Sequence, residues 1–176
     1  MENWCVNNKY LQKKFAVIYN ANIQQIFLKG NWNWVFINTF ANYFREEKYM
    51  LEFETICALA TPSGESAIAV IRLSGKRAFE IASKVFVSKM KGKTIENSPT
   101  HSAIFGHIIN NGKLIDECLC TIFRSPHSYT GEDSVEFSIH GSSFIAQKVI
   151  VALLENGASL ANRGEFTKRA FLNGKL

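Results

Sequence analysis

The hydrophobic and polar positions of this chain divide it into two stretches of unlike character. From Glu54 onward, short runs of alternating apolar and polar residues are separated by turn-forming residues. Alternation with a period of two is typical of strands that bury one face, whereas apolar residues three or four apart are typical of helices. In residues 1–50 neither period continues over a useful length. We therefore predict a mixed domain in residues 51–176 and an extension of uncertain status in residues 1–50.

Five runs in the second stretch have the pattern of strands. The first two flank the turn-rich segment 61–64. The third and fourth flank Asn110-Asn111-Gly112, and because Asn-Gly favours the positive dihedral angles of a tight turn, we predict an antiparallel hairpin there. In the fifth run Val135, Phe137 and Ile139 alternate with polar residues. The predicted strands are 54–60, 67–73, 101–109, 113–123 and 133–140.

Three further segments predict helices. Residues 74–88 carry an apolar stripe, and residues 143–155 are apolar almost all round and end at Asn156-Gly157, a pair that is common where helices end. Residues 164–176 have helix-forming character with one apolar side. We therefore predict an α+β fold, in which helices pack on a mixed, largely antiparallel sheet of about five strands.

Charge and cysteine content narrow the classes of function. The formal net charge is +5, of which residues 1–50 carry +3, so the predicted domain is nearly neutral and gives little support for a nucleic-acid surface. The four cysteines show neither CxxC spacing nor a histidine at zinc-ligand distance, which favours a reduced, cytoplasmic setting without a metal site. We expect Cys118 and Cys120, which share a face of one strand, to fill the core. There is no signal peptide pattern and no uninterrupted apolar run of about 18 residues, so we expect no transmembrane span and no membrane partner for the predicted domain.

Residues 1–49 admit two explanations. All three tryptophans and nine asparagines lie in residues 1–50, and Met50 stands where the composition changes. One explanation is an over-long reading frame with Met50 as the true start. The other is an aromatic and basic arm that binds RNA or a membrane surface. A native peptide from residues 1–49 would refute the first.

Four local blocks carry candidate chemistry. Arg72 ends an otherwise apolar strand and needs an anionic or dipolar partner, which is either an internal carboxylate or a ligand. The block Ser128-Tyr129-Thr130-Gly131-Glu132-Asp133 suits a tight loop that is either an ordinary turn or a ligand contact. Glu136 and His140 share the polar face of the last predicted strand. The charges of the fourth block, 163–176, are consistent with the solvated face of a short helix.

Taken together, these blocks resemble one family. The segments TICALATPSGESAIAVIRLSG, SYTGED, the strand ending in His140-Gly141, and GEFTKRAFLNGKL are similar in order and spacing to the N-terminal domain of the tRNA-modification GTPases, called MnmE or TrmE. The resemblance spans nearly all of residues 52–176. Two positions depart from the family pattern: Ser142 stands where a second glycine is common, and Arg163 where a proline is frequent. Ser142 is acceptable because serine can cap the following helix.

The resemblance implies a folate site. Members of this family bind a tetrahydrofolate derivative, 5-formyl- or 5,10-methylene-tetrahydrofolate, in a domain similar to the folate-binding domain of the glycine-cleavage T-protein. By matching motifs, the folate contacts fall on Arg72, Glu136 and Lys175, with Tyr129 and His140 as candidate wall residues of the pocket. The chemistry agrees, because a carboxylate such as Glu136 can accept hydrogen bonds from both N3–H and the 2-amino group of a pterin.

The resemblance also implies partners. In the complete family protein this domain dimerises and is followed by a helical domain with an inserted GTPase domain, which would bind GTP, potassium and magnesium. Its partner is a flavin-dependent subunit of the MnmG or GidA type, and together they introduce the carboxymethylaminomethyl modification at the wobble uridine, U34, of certain tRNAs. The printed sequence contains no G-x-x-x-x-G-K-[ST] loop, so we predict that this polypeptide does not hydrolyse GTP and has no catalytic residue of its own.

Three alternatives remain open at this stage. One is a stand-alone folate-binding module like an aminomethyltransferase, and another is a structural dimerisation module without a ligand. The third is an RNA-binding domain, whose affinity would fall steeply with salt. Folate titration separates the first two, because only the first binds the ligand.

Overall fold

A computed structural model describes residues 54–176, and the extension predicted for residues 1–50 lies outside the described residues. The described part contains seven strands and three helices. In chain order they are β1 (Ile56–Leu59), β2 (Ile68–Ser74), α1 (Ala78–Val85), β3 (Phe86–Ser88), β4 (Ser102–Asn110), β5 (Lys113–Phe123), β6 (Ser134–His140), α2 (Ser143–Glu155), β7 (Ser159–Leu160) and α3 (Glu165–Leu172). The predicted α+β class is confirmed.

The seven strands form one sheet in the order β3-β4-β5-β6-β2-β1-β7. Only the β1–β7 pair is parallel, so the described sheet is mixed and largely antiparallel, as predicted. The expected number of about five strands was wrong, because β3 and β7 extend the sheet at its two edges. These edge strands have three and two residues, too few for an alternating pattern to reveal them.

The first helix is shorter than the predicted segment 74–88. Ser74 still belongs to β2, and Gly75 has a φ of 138°, which precludes a helix there. At the other end Phe86 has extended backbone angles and pairs with Ile108 of β4. The prediction that residues 86–88 are helical was wrong, because an apolar pair such as Val85-Phe86 fits the buried side of a helix and of a strand equally well.

The predicted hairpin is confirmed. β4 and β5 are antiparallel, and the turn residues Asn111 and Gly112 have φ values of 49° and 73°. Both values are positive, as a two-residue turn of the Asn-Gly type requires. A β-bulge between Ile108 and Ile109 shifts the register beside this turn.

The main hydrophobic core lies on one face of the sheet, under α1 and α2. It is built from alternate residues of the central strands, with Ile71 and Phe137 fully buried. Cys118 and Cys120 belong to this core, as predicted, and are free thiols. The N-cap position of α2 is occupied by Ser142, but its hydroxyl makes no hydrogen bond to the helix. None of the three helices in residues 54–176 has the length and hydrophobicity that a transmembrane span requires.

The opposite face of the sheet carries the candidate site. Arg72 and Glu136 alternate with the core residues of β2 and β6 and therefore lie on this second face. Two segments cover one end of it, α3 and the loop formed by residues 124–133, because the rings of Tyr129 and Phe166 both contact the Arg72 guanidinium. The fold thus places three distant parts of the chain around Arg72.

Candidate functional site

Arg72 and Glu136 form an ion pair across neighbouring strands. The antiparallel register of β2 and β6 places the two residues directly opposite each other, and Arg72 Nε lies 2.8 Å from Glu136 Oε1. Their side chains are 23% and 24% exposed, so the pair is partly covered and still reaches solvent. The partner that the sequence required for Arg72 is therefore an internal carboxylate.

The pair leaves hydrogen-bonding capacity unused. Within residues 54–176, the Nε of Arg72 is the sole donor to the Glu136 carboxylate, so Oε2 accepts no hydrogen bond there. The two terminal nitrogens of Arg72 likewise donate to no group of the described part. A carboxylate has about four lone-pair sites and a guanidinium five N–H donors, so both groups can bind a further polar molecule.

Two aromatic rings flank the Arg72 guanidinium. Its Cζ lies 4.9 Å from the ring centroid of Tyr129 and 5.5 Å from that of Phe166, distances at which a cation is attracted to the face of a ring. The Tyr129 hydroxyl lies 3.1 Å from Thr167 Oγ1, which joins the 124–133 loop to α3. Tyr129 was predicted as a wall residue and lies beside the ion pair. Phe166 was not predicted to belong to the site, because its position in the sequence indicated only the apolar side of a helix.

Lys175 lies against the 124–133 loop. Its Nζ donates a hydrogen bond of 3.1 Å to the carbonyl oxygen of Pro126, and its Cγ would lie 3.3 Å from a Cβ added at Gly131. Nearby, Asn173 Nδ2 donates to the carbonyl of Thr130 at 2.8 Å. Among the described contacts Lys175 touches neither Arg72 nor Glu136. It is linked to them through the loop that also carries Tyr129.

His140 lies away from this group. Four residues separate it from Glu136 along β6, roughly 13 Å in an extended strand. Its Nδ1 lies 2.7 Å from Asp116 Oδ1, and its backbone N–H donates to Asp116 Oδ2 at 2.9 Å. The imidazole is 69% exposed, and the Asp116 carboxylate is buried. The structure therefore does not bring His140 together with Arg72 and Glu136, and Asp116 is its immediate partner.

Behind the aromatic rings lies a buried polar network that the sequence did not reveal. Arg169 of α3 is 1% exposed, and its Nη1 donates to the carbonyl of Glu54 at 2.8 Å and to the carboxylate oxygens of Glu132 at 3.2 and 3.3 Å. Its Nη2 donates to Glu165 Oε1 at 3.0 Å. Glu132 also accepts a hydrogen bond of 2.7 Å from Ser74 Oγ. The spacing of four residues between Glu165 and Arg169 signals a helix pair, but not its burial.

Other features of the described part lie elsewhere. A cavity of about 620 Å³ is lined by residues of 83–96, none of which is a predicted site residue. No three His, Cys, Asp or Glu side chains in residues 54–176 are grouped as metal ligands. Burial raises the pKa of the Cys57 thiol to about 11, and burial together with the nearby Asp116 raises that of Cys118 to about 12. Such thiols remain protonated and are poor nucleophiles or ligands.

Comparison with known proteins gives one consistent result. Residues 55–175 match the family model described as GTP-binding protein TrmE N-terminus. A tRNA modification GTPase MnmE from Flavobacterium johnsoniae is 53% identical over 127 residues, which cover 72% of this chain and 27% of that protein. Proteins of the same name from Bacteroides thetaiotaomicron and Streptococcus mutans are 49% and 44% identical over 70% and 71% of this chain. The aligned region spans 26% and 27% of those two relatives, about a quarter of their length.

Proposed function

We propose, from the premise that this chain belongs to the TrmE N-terminal family, that residues 54–176 form the folate-binding domain of a tRNA-modification GTPase. The observation that carries the proposal is the Arg72–Glu136 ion pair beside the rings of Tyr129 and Phe166, with hydrogen-bonding groups still unused. A partly covered charge pair next to aromatic rings suits a flat, polar, aromatic ligand.

The pterin edge of a reduced folate fits this arrangement. It presents N3–H and a 2-amino group side by side, and the Glu136 carboxylate can accept both hydrogen bonds while Oε1 stays bound to Arg72. The face of the pteridine ring would stack on Tyr129 or Phe166 in the offset arrangement that aromatic rings prefer. Lys175 and the terminal nitrogens of Arg72 would meet the ligand's carboxylates or ring oxygens.

We propose the role of the whole protein from the relatives' name and from the family resemblance. Because those relatives are called tRNA modification GTPases, we infer that this chain acts in tRNA modification. From the family resemblance of its sequence motifs we further propose that it acts on the wobble uridine, in the cytoplasm, with the folate as one-carbon donor. GTP, potassium and magnesium would be bound by a separate GTPase domain, since the 176 residues contain no phosphate-binding loop. The domain would also form a homodimer and work with a flavin-dependent subunit on tRNA.

A calorimetric titration of the 176-residue chain with 5-formyl-tetrahydrofolate tests the folate site. Glu136→Gln keeps the shape of the side chain but replaces one acceptor oxygen with a donor, so it should weaken binding by about 2–4 kcal/mol. Glu117→Gln is the matched control, because Glu117 is an exposed carboxylate on the neighbouring strand β5 that pairs with His107. We expect it to bind as the unmodified protein does.

The outcomes separate the competing functions. Equal binding by Glu136→Gln and Glu117→Gln would remove Glu136 from the site. An unmodified protein that binds no folate would favour a structural dimerisation module. Binding accompanied by one-carbon transfer to a glycine-cleavage-type acceptor would favour the aminomethyltransferase-like module, and RNA binding that weakens steeply with salt would favour the RNA-binding domain.

A further inference from the structure

The buried network behind the aromatic rings joins the three segments that surround Arg72. Ser74 ends β2 and lies two residues after Arg72, Glu132 lies in the 124–133 loop three residues after Tyr129, and Arg169 lies in α3 three residues after Phe166. Hydrogen bonds connect Ser74 to Glu132 and Glu132 to Arg169. Each segment therefore carries one member of the network and one group of the candidate site.

Because Arg169 is buried, its hydrogen bonds to the loop and to α3 tolerate little movement of either segment. Arg169 is 1% exposed and Glu132 17%, and an arginine removed from water is tolerated only when its charge and hydrogen bonds are satisfied. A shift of the loop away from α3 would leave the guanidinium without one of its two carboxylates. The planar fork of arginine bonds Glu132, Glu165 and the Glu54 carbonyl in fixed directions, so the network restricts orientation as well as distance.

The two carboxylates that bind Arg169 have different roles. Glu165 also accepts hydrogen bonds from the backbone and side chain of Asn162, at 2.7 and 3.2 Å, so it organises the start of its own helix. Glu132 instead links α3 to the loop and to the end of β2. Loss of the Glu132 charge should therefore release the loop, whereas loss of the Glu165 charge should disturb Arg169 and the start of α3 but leave the loop bound to β2 through Ser74.

We propose that Arg169 and Glu132 are positioning residues for the ligand site: their buried pair holds Tyr129 and Phe166 against Arg72 without touching the ligand. This inference rests on the proposed folate site. Its effect on binding comes from geometry, because a site whose groups are already positioned needs less ordering when the ligand binds. In reaction steps a misplacement of about 1 Å costs up to about a hundredfold, and we expect an effect on affinity of similar order.

The test compares Glu132→Gln with Glu165→Gln in the 176-residue chain. Both variants keep the side-chain shape and remove one negative charge that contacts Arg169. The affinity for 5-formyl-tetrahydrofolate is measured by calorimetry, and hydrogen exchange of the backbone amides in residues 127–133 is measured without ligand. We expect Glu132→Gln to weaken binding roughly ten- to hundredfold and to accelerate exchange in the loop. We expect Glu165→Gln to leave the loop protected, since the hydrogen bond from Ser74 to Glu132 remains; any loss of affinity in this variant would come through the adjoining Phe166.

Each result decides a separate question. If Glu132→Gln binds folate as the unmodified chain does, or if its loop exchange matches that of the unmodified chain or of Glu165→Gln, the positioning role is wrong. If the unmodified chain binds no folate, the proposed function fails, while the exchange measurement still decides whether Glu132 holds the loop. Should Glu132→Gln not fold, Arg169→Lys replaces it, since lysine keeps the charge but cannot bridge the same partners with a planar fork. We then expect the same loss of affinity and of loop protection, and unchanged values for both would overturn the inference.

Discussion

Replacement of Gly141 by alanine should destabilise this domain through a steric clash alone. Gly141 follows β6, and a Cβ added there would lie 2.0 Å from the carbonyl oxygen of Ser66 and 2.4 Å from its carbonyl carbon. The two segments are joined by hydrogen bonds from Ser66 N to Gly141 O, 2.9 Å, and from Gly141 N to Ala67 O, 3.3 Å. The glycine of the His-Gly pair is therefore required because two backbones approach closely.

The loss of stability follows from how far the Ser66 backbone must move to relieve the clash. Ordinary contact begins at 3.4 Å, so the Ser66 backbone would have to move by about 1.4 Å, against hydrogen bonds that hold it in place. Overpacking of this kind costs about 1–3 kcal/mol, and each weakened hydrogen bond adds about 1 kcal/mol. We expect Gly141→Ala to lower the free energy of unfolding by about 3 kcal/mol.

Gly92→Ala is the matched control. Nothing lies within 4 Å of a Cβ added at Gly92, whose φ is 71°, so the same substitution there costs only the left-handed backbone penalty of about 1 kcal/mol. Urea-induced unfolding should be followed by far-ultraviolet circular dichroism, because residues 54–176 contain no tryptophan. If Gly141→Ala proves no more destabilising than Gly92→Ala, the close approach of Ser66 does not explain the glycine.

Three further predictions concern buried cysteines, a surface ion pair and the Arg72 guanidinium. Since burial raises the pKa of Cys57 to about 11 and of Cys118 to about 12, neither thiol should react with iodoacetamide at a pH of about 8 until denaturant is added, as mass spectrometry would show. Hydrogen bonds from Arg77 and then Lys84 lower the pKa of Glu80 from 4.5 to about 2. The contacts of Glu80 with Arg77 and Lys84 therefore stabilise the fold above pH 4.5, and this stabilisation is lost as the pH falls through about 2. Because salt screens exposed charges, the midpoint of the Glu80 carboxyl NMR titration should rise in high salt. Arg72→Lys keeps the charge but loses the planar group between the rings, so calorimetry should show roughly tenfold weaker folate binding.

The sequence predicted those elements whose hydrophobic pattern is long enough to be unambiguous. The hairpin of β4 and β5 was placed to within one residue, since two long runs flank an Asn-Gly turn. The edge strand β7 exists only because residues 159 and 160 pair with β1, and no local pattern encodes a partner so distant in the chain. The same limit explains the error at residues 86–88, where pairing with β4 decides between helix and strand.

The sequence identifies individual residues of the candidate site but not the contacts between them. The sequence indicates that Arg72 needs an anionic or dipolar partner and that Glu136 lies on a polar strand face, but the register of β2 and β6 that joins them is set by the whole sheet. The burial of Arg169 could not be predicted from the sequence, for a different reason. The charges of the segment 163–176 suggested a solvated helix face, whereas α3 turns Arg169 into the interior to meet Glu132.

Arg72 and Arg169 show how the surroundings of an arginine decide its use. Arg169 is enclosed by two carboxylates and a carbonyl, which leaves no room for a ligand. Arg72 bonds one carboxylate oxygen through one nitrogen and remains nearly a quarter exposed. An internal ion pair and a ligand site are therefore compatible at Arg72. Two aromatic rings flank Arg72, and Arg72 in turn holds the Glu136 carboxylate. Little ordering of these groups would therefore remain when a ligand binds, and preorganisation of this kind strengthens binding.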